Sequence, residues 1–563
     1  MILIFIVIPF LWLWLLDLNL NLKEKFLVGS TFFWATVAPI ILILNNFFGL
    51  LVTPKLFWFL VILVTIVLLI WRLKSKNKFK FSWPKIKWDW SLIIVLVIYG
   101  LLHIVFYQFY VTMPESDGYD NLLTISEMMK TGVTSNHYRP LFFTAMTVLG
   151  QVTKIDLYQM HVFWMIALSV VYLVTISLLI DKNKIEDFWQ RLLLLSFGMA
   201  VPVINMEIDF FRPQNLCLLL FPVIFYLEQK NKNYLALFIS VVGIGYHQFF
   251  IFPIIILGLK LFFNLKKSKR IWLLVIGLLL VIVLRDKFVS YLHVNRIFEE
   301  IWKIEKWRWW FLNKYETVPD NIEMGWPGIS GAAKYYGYYF GPLILVGLGF
   351  IVTNLKKLKN QKYWLLMILM LFLVCEVFPR LNVVYLPERF PLLIDLSVLL
   401  IMPFLFRSIK LKKQVWLILV VIGMIGSVYV AQMKGSLTTK EELKAAGWIK
   451  DNIPDKATIL TQRVNKPMVI YFSQRKYLDP GKIFFEGDTF SGYYTDNEKK
   501  DFIIYDISEC KECYVMYSFA KVNKLSGERN YWSDYNYVGV NLEKFNLVFE
   551  KIYNKNGVVI WKI

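Results

Sequence analysis

Four carboxylates, Glu115, Asp117, Asp120 and Glu127, fall within the polar stretch PESDGYDNLLTISEMMKTG from Pro114 to Gly132, in a chain that is only 18% charged. Apolar runs lie on both sides, so these groups belong at the water-facing mouth of hydrophobic segments. Ionisable groups there are costly to place, and they mark sites. A carboxylate within hydrogen-bond reach of an alcohol can take its proton as a general base. Asp117 is the candidate base. Asp120 comes three residues later and shares its helix face if the helix starts early. The competing reading makes Asp117 an N-cap for a helix over 119–130.

A phosphate that departs as leaving group needs positive charge nearby, and guanidinium binds phosphate in a planar fork. Arg139, with His137 just before it, follows directly on the acidic stretch. Arg212 in EIDFFRPQN, His247 in GYHQFF and Arg389 in LPERFPLL fall at predicted helix ends on the same side. All are substrate-binding candidates. The competing reading is that such residues snorkel or anchor their helices at the interface. Trp307, Trp309 and Trp310 in KWRWWF fit an interfacial aromatic belt, and the glycine-containing loop 291–333 is long enough to fold over a groove.

The elements that must position these residues follow from composition. The chain has 563 residues, 57% hydrophobic and 17% aromatic. Runs such as Leu56–Trp71, Ser91–Tyr110, Ile271–Leu284 and Val415–Ala431 reach or approach the length needed to cross a hydrocarbon core of ~30 Å. About fourteen spans are expected. Met1–Leu16 lacks a basic leader region and a small-residue cleavage site, and reads as a retained span.

The net charge of +21 is concentrated in alternate short loops, with seven Lys and Arg in 72–90 and four each in 264–270, 354–362 and 407–414. Such alternation is the positive-inside pattern. It orients the protein and gives no reason to expect nucleic acid. It assigns 113–157, 207–214, 291–333, 379–389 and the C-terminal region to the outer face.

From Gln432 onward the composition changes to 20 Lys+Arg against 17 Asp+Glu, with no span-length apolar run. Thr439 and Glu442 predict a capping box opening an amphipathic helix to Lys450. Ala457–Leu460, Met468–Phe472, Tyr514–Phe519 and Val558–Lys562 read as strands. A small α/β domain over 432–563 is expected. Cys510 and Cys513 form CKEC, which fits a local disulfide in an oxidising compartment better than zinc or a thioredoxin-like dithiol. Cys217 and Cys375 lie in or beside spans and read as packed thiols.

The run Asp117-Gly-Tyr-Asp-Asn-Leu-Leu-Thr-Ile-Ser-Glu-Met-Met-Lys-Thr-Gly132 resembles the first outer loop of the GT-C superfamily of membrane glycosyltransferases. It is most similar to the protein mannosyltransferase and aminoarabinose transferase branch. In that pattern an acidic residue after a span leads into a juxtamembrane helix ending in Glu-Met-Leu-x-x-Gly. A Lys-Pro-Pro-Leu segment and a second amphipathic helix follow. Here Glu127-Met128-Met129 and Gly132 keep the spacing, and Arg139-Pro140-Leu141 leads into 142–152 and a span near Tyr158–Ile180. Gly118 stands where the family usually pairs Asp with Glu, and a single Pro140 replaces the double proline. The resemblance covers 91–181 best and the spans to Ala431 more loosely. EELKAAGWIKDNIPDKATIL resembles the start of outer domains in the superfamily, and Arg389 resembles the arginine found before a late span in related enzymes.

The resemblance implies a polytopic α-helical membrane protein of the plasma membrane, with a catalytic module over 91–431 carrying the outer loop 111–157 and an extracytoplasmic α/β domain over 432–563. The apolar runs over 1–90 read as N-terminal helices that precede that module. It implies an inverting glycosyltransferase that moves a sugar from a polyprenyl-phosphate donor to a hydroxyl of a protein, lipid or glycan acceptor. Asp117 would be catalytic, with Asp120, His137, Arg139, Arg212, His247 and Arg389 binding substrate. No cofactor is required, although oligosaccharyltransferase relatives use a divalent metal. The chain has no glycine-rich nucleotide loop and no DxD-type site, which favours a lipid-phosphate donor. The rival readings are a lipid-linked sugar flippase, an oligosaccharyltransferase-like enzyme and a non-catalytic scaffold. The role of the first three spans is left open.

Overall fold

In hydrocarbon every backbone polar group must be satisfied within its own segment, so apolar runs of this length fold as helices. The computed structural model describes residues 7–15, 20–74, 89–107, 116–133, 139–209, 211–264, 337, 339–377, 390–406, 413–434, 438–461, 466–477, 482–486, 489–496, 501–506, 512–518 and 546–563. The predicted span Ile271–Leu284 lies outside them.

The described helices are α1 (Ile8–Leu15), α2 (Leu22–Phe32), α3 (Ala38–Phe48), α4 (Pro54–Lys74), α5 (Trp90–Leu102), α6 (Ser116–Thr131), α7 (Pro140–Thr153), α8 (Leu157–Lys182) and α9 (Phe188–Ser196). They continue with α10 (Pro202–Asp209), α11 (Leu216–Gln229), α12 (Asn233–Ile244), α13 (Ile251–Asn264), α14 (Gly341–Thr353), α15 (Lys362–Phe372), α16 (Pro391–Phe406) and α17 (Lys413–Lys434). A π-helical turn over Phe33–Val37 joins α2 to α3. Among the described residues four helices are long and apolar enough to cross a membrane: Leu22–Phe48, Pro54–Lys74, Leu157–Lys182 and Leu355–Cys375. Shorter apolar helices pack beside them. On α4 and α17 large side chains such as Phe59, Ile66, Val67, Ile418, Ile422 and Ile425 face outwards. Apolar rows of that extent suit lipid rather than water.

The helix ends that flank the basic loops meet at one end of the bundle. Asp89, which caps α5, takes hydrogen bonds from Lys23 (2.7 Å), Arg191 (2.6 Å), Ser91 (2.6 Å) and Ser177 (2.7 Å). Asp181 closes the square with Lys23 at 2.9 Å and Arg191 at 2.6 Å. Lys413 pairs with Asp187 across 3.2 Å, and buried Glu228 of α11 takes Lys260 of α13 and the Trp364 indole of α15. Burial alone would raise the Asp89 carboxyl. The Lys23, Ser91 and Ser177 hydrogen bonds and the Lys23 charge outweigh burial and hold it well below the usual carboxylate range.

The opposite end carries α6 and the C-terminal domain. Helix α18 (Lys440–Asn452) opens with the expected capping box: Glu442 N donates to Thr439 Oγ1 (3.2 Å) and Thr439 N donates to Glu442 Oε2 (2.6 Å). The strands are β1 (Thr458–Thr461), β2 (Lys476–Tyr477), β3 (Lys482–Glu486), β4 (Thr489–Asp496), β5 (Asp501–Asp506), β6 (Cys513–Ser518), β7 (Glu550–Lys555) and β8 (Val558–Lys562). They form a mixed sheet in the order β2-β1-β6-β8-β7 and an antiparallel sheet β3-β4-β5. In the mixed sheet β1 runs parallel to β2 and β6, while β8 runs antiparallel to β6 and β7. The predicted strand Met468–Phe472 is instead a helix, α19 (Lys466–Ser473). A short apolar run reads alike for a buried strand and a helix packed on two sides. Here Met468 and Val469 are buried, while Phe472 reaches the bundle. Cys513 is disulfide-bonded, as the reading of CKEC expects, and Cys217 and Cys375 are free. Cys510 lies outside the described residues.

Candidate functional site

Helix α6 opens at Ser116, so Asp117 falls within its first turn rather than at an N-cap. Gly118, Tyr119, Asn121, Leu122, Ile125 and Met128 are buried, while Asp120 and Glu127 are exposed. Helical spacing sets positions 117, 120, 124 and 127 on one stripe, away from the buried face. The backbone places Asp117; its side chain lies outside the described part of the structure.

The far end of α6 is held by the turn between α3 and α4. Gly132 adopts φ +69°, a left-handed conformation that glycine takes without strain. Its carbonyl accepts Val52 N at 2.7 Å and Asn45 Nδ2 at 3.0 Å. Gln151 Nε2 of α7 donates to Val52 O (3.2 Å) and Met129 O (3.3 Å). Gly150 permits the close approach of α7, because a Cβ there would stand 3.0 Å from Met129 Sδ. The N-terminal helices, whose role the sequence leaves open, therefore brace the acidic helix. The other end of α6 meets the C-terminal domain. Tyr119 stacks on Tyr158 of α8 with centroids 6.3 Å apart, and a hydrogen bond links their hydroxyls. Phe472 of α19 closes edge-on against both rings, at 6.2 and 5.2 Å.

The segment between α10 and α11 packs against the same helix. Asn121 Nδ2 donates to Phe211 O at 2.8 Å. The next residue, Arg212, donates to the Glu207 carboxylate through Nε (3.2 Å) and Nη2. Gln214 Nε2 approaches the same carboxylate at 3.4 Å, and Asn215 Nδ2 donates to the Glu207 carbonyl. Glu207, Gln214 and Asn215 are buried. Arg139 caps the start of α7, three residues before Phe142, whose ring meets Phe211 at 5.7 Å. Arg212 can reach a phosphate only by sharing or leaving Glu207.

Helix α7 is buried over the whole of Leu141–Gly150, which corrects the expectation of an amphipathic helix there. It lies between α3, α4, α6 and an aromatic column in which Phe142 meets Trp164 (6.1 Å) and Phe211 (5.7 Å). Its first amide, Leu141 N, donates to Gly245 O at 3.3 Å. That contact draws in the turn holding His247, which is buried and accepts Phe249 N on Nδ1 at 3.2 Å. Phe249 in turn touches Phe390, at the start of α16, at 5.1 Å.

Asp120, Arg139, Arg212 and His247 thus share one end of the bundle, with the first two at the acidic helix and its neighbour. His137, Arg389, Trp307, Trp309 and Trp310 lie outside the described residues. Sequence reasoning missed Glu207, whose signal was an acid inside the mostly apolar run VINMEI, and Asn121, Gln214 and Asn215, which carried none. It read Asp395, one turn into α16, as a residue toward a span end. Asp395 is fully buried, and neither carboxylate oxygen has a hydrogen-bond partner among the described residues. Among the described residues no group of three or more His, Cys, Asp and Glu is arranged to hold a metal ion. No protein-family model matches this chain, and no curated protein matches it.

Proposed function

We propose that this chain is an inverting, GT-C-like glycosyltransferase with about fourteen spans, acting on a polyprenyl-phosphate sugar at the outer membrane face. One observation carries the reading. The acidic helix α6 is hydrogen-bonded through Asn121 to the segment that holds the Glu207–Arg212 pair, and Arg139 caps α7, whose Phe142 ring meets Phe211 of that segment. The helix that carries the candidate base thus packs against the segment that carries a candidate phosphate ligand, which supports the reading. In the proposed step Asp117 takes the proton of the acceptor hydroxyl. The acceptor oxygen bonds to the anomeric carbon as the carbon–oxygen bond to phosphate breaks. The electron pair leaves with the polyprenyl phosphate, whose charge Arg139 and Arg212 steady. The test is transfer by purified protein from polyprenyl-phosphate hexoses and pentoses to a mixed envelope extract, followed by mass spectrometry. Asp117→Asn is expected to reduce transfer by at least ~10²-fold, within the usual range for a general base. Full activity in that variant would remove Asp117 from the chemistry.

A second reading, a lipid-linked sugar transporter, draws on Asp395. A buried carboxyl without a partner among the described residues is an expected feature of a transport pathway. Reconstitution in liposomes separates the two. Loss of lipid-sugar translocation in Asp395→Asn, with no transfer product from wild type, would favour transport.

A further inference from the structure

Helix α6 is gripped at both ends by parts of the chain outside 91–181, where the glycosyltransferase resemblance is best. The Asn45 and Val52 bonds to Gly132 hold one end, and the Tyr119–Tyr158–Phe472 cluster holds the other. Sixteen residues long and carrying an exposed polar stripe, α6 takes its position from these contacts more than from its own propensity.

The grip at the Phe472 end comes from a helix hydrogen-bonded into the C-terminal domain. Arg475, just past α19, donates from Nε to Ile453 O (3.0 Å) and from Nη2 to Lys450 O (2.7 Å) and Ile453 O (2.6 Å). Its Nη1 donates to Ser473 O at 3.1 Å. These bonds lock the end of α19 to the end of α18, and the parallel pairing of β1 with β2 follows directly. Phe472 is thus presented by a braced helix, and it touches both Tyr119, two residues from Asp117, and Tyr158. Displacing a reacting group by about 1 Å costs up to ~10²-fold in rate.

We propose that Phe472 is a positioning residue: through Tyr119 and Tyr158, the C-terminal domain sets where α6 sits and thereby the turnover of the centre that α6 carries. The mechanical part stands by itself, and the consequence for turnover rests on the glycosyl-transfer reading.

A nitroxide attached to Glu127→Cys on the exposed stripe reports the mobility of α6, since the free thiols Cys217 and Cys375 are buried. Spectra of the full-length protein are compared for native Phe472, Phe472→Ala and Phe472→Tyr, and turnover of a polyprenyl-phosphate sugar is measured without the label. Phe472→Ala is expected to loosen the spectrum and lower kcat roughly tenfold with donor KM within about twofold, and Phe472→Tyr to restore both. Phe472→Leu, which keeps volume without the ring, takes its place if the alanine variant does not assemble. Unchanged mobility in the alanine or leucine variant overturns the proposal, as does loosened mobility with unchanged kcat. If wild type transfers no sugar from any donor, the transfer reading fails and the mobility comparison alone decides the positioning claim.

Discussion

Arg212 and Glu207, five residues apart across the break between α10 and the next turn, form a forked ion pair at the end of the bundle that carries the acidic helix. Both side chains are largely withdrawn from solvent, at 12% and 6% exposure. Such a pair contributes less by its own attraction than its rupture costs, because a lone buried charge remains.

Arg212→Ala is therefore expected to destabilise the protein by about 3 kcal/mol, leaving Glu207 buried and unneutralised. The double variant Arg212→Met, Glu207→Leu is expected to recover much of that loss. Thermal unfolding in detergent completes the cycle. If the single and double variants are equally unstable, the pair is not coupled as its geometry indicates.

Asp89 at the other end supplies a pH prediction. Its carboxyl is held below the ordinary value of 3.8, so it binds fewer protons folded than unfolded near that pH. The stability it contributes is present above the unfolded pKa and is lost as pH falls through the lower folded one. Asp89→Asn should cost about 1.5–3 kcal/mol at pH 7, the scale of a hydrogen bond to a charged group. The gap to wild type should close only below about pH 4. Unfolding midpoints measured from pH 3 to pH 8 check both the size and the direction.

The charge pattern predicts sidedness. Cysteine at exposed Glu127, on α6, should react with a membrane-impermeant maleimide in intact cells. Cysteine at exposed Glu186, between α8 and α9, should react only after permeabilisation. The reverse pattern would put the acidic helix on the cytoplasmic side and remove the outer-face donor.

Much of the fold was legible in the residues because helix length and end signals are local. Apolar length predicted α4, α8 and α17, and Thr439 with Glu442 predicted the start of α18, where both capping bonds form. The alternation of basic loops gave an orientation but not the ion pairs that Lys23, Arg191, Lys260 and Lys413 form with carboxylates. The site was less legible. Glu207 read as one more loop acid, and Asn45 gave no signal at all. Neither shows its partner in sequence, since Asn45 and Gly132 stand 87 positions apart. Met468–Phe472 misled for a related reason: a short apolar run records how much surface it buries, not the direction from which neighbours cover it.

By itself the sequence determined that long apolar segments form helices, where α18 begins, and that carboxylates crowd one loop, because transfer free energy and capping depend on residues close in the chain. Tertiary structure alone decided that α7 is enclosed on every side, that Arg212 answers Glu207, and that Phe472 leans on the helix of Asp117. Those outcomes depend on distances between helices far apart in sequence, and a hydrogen bond or ring contact exists only within a few ångströms.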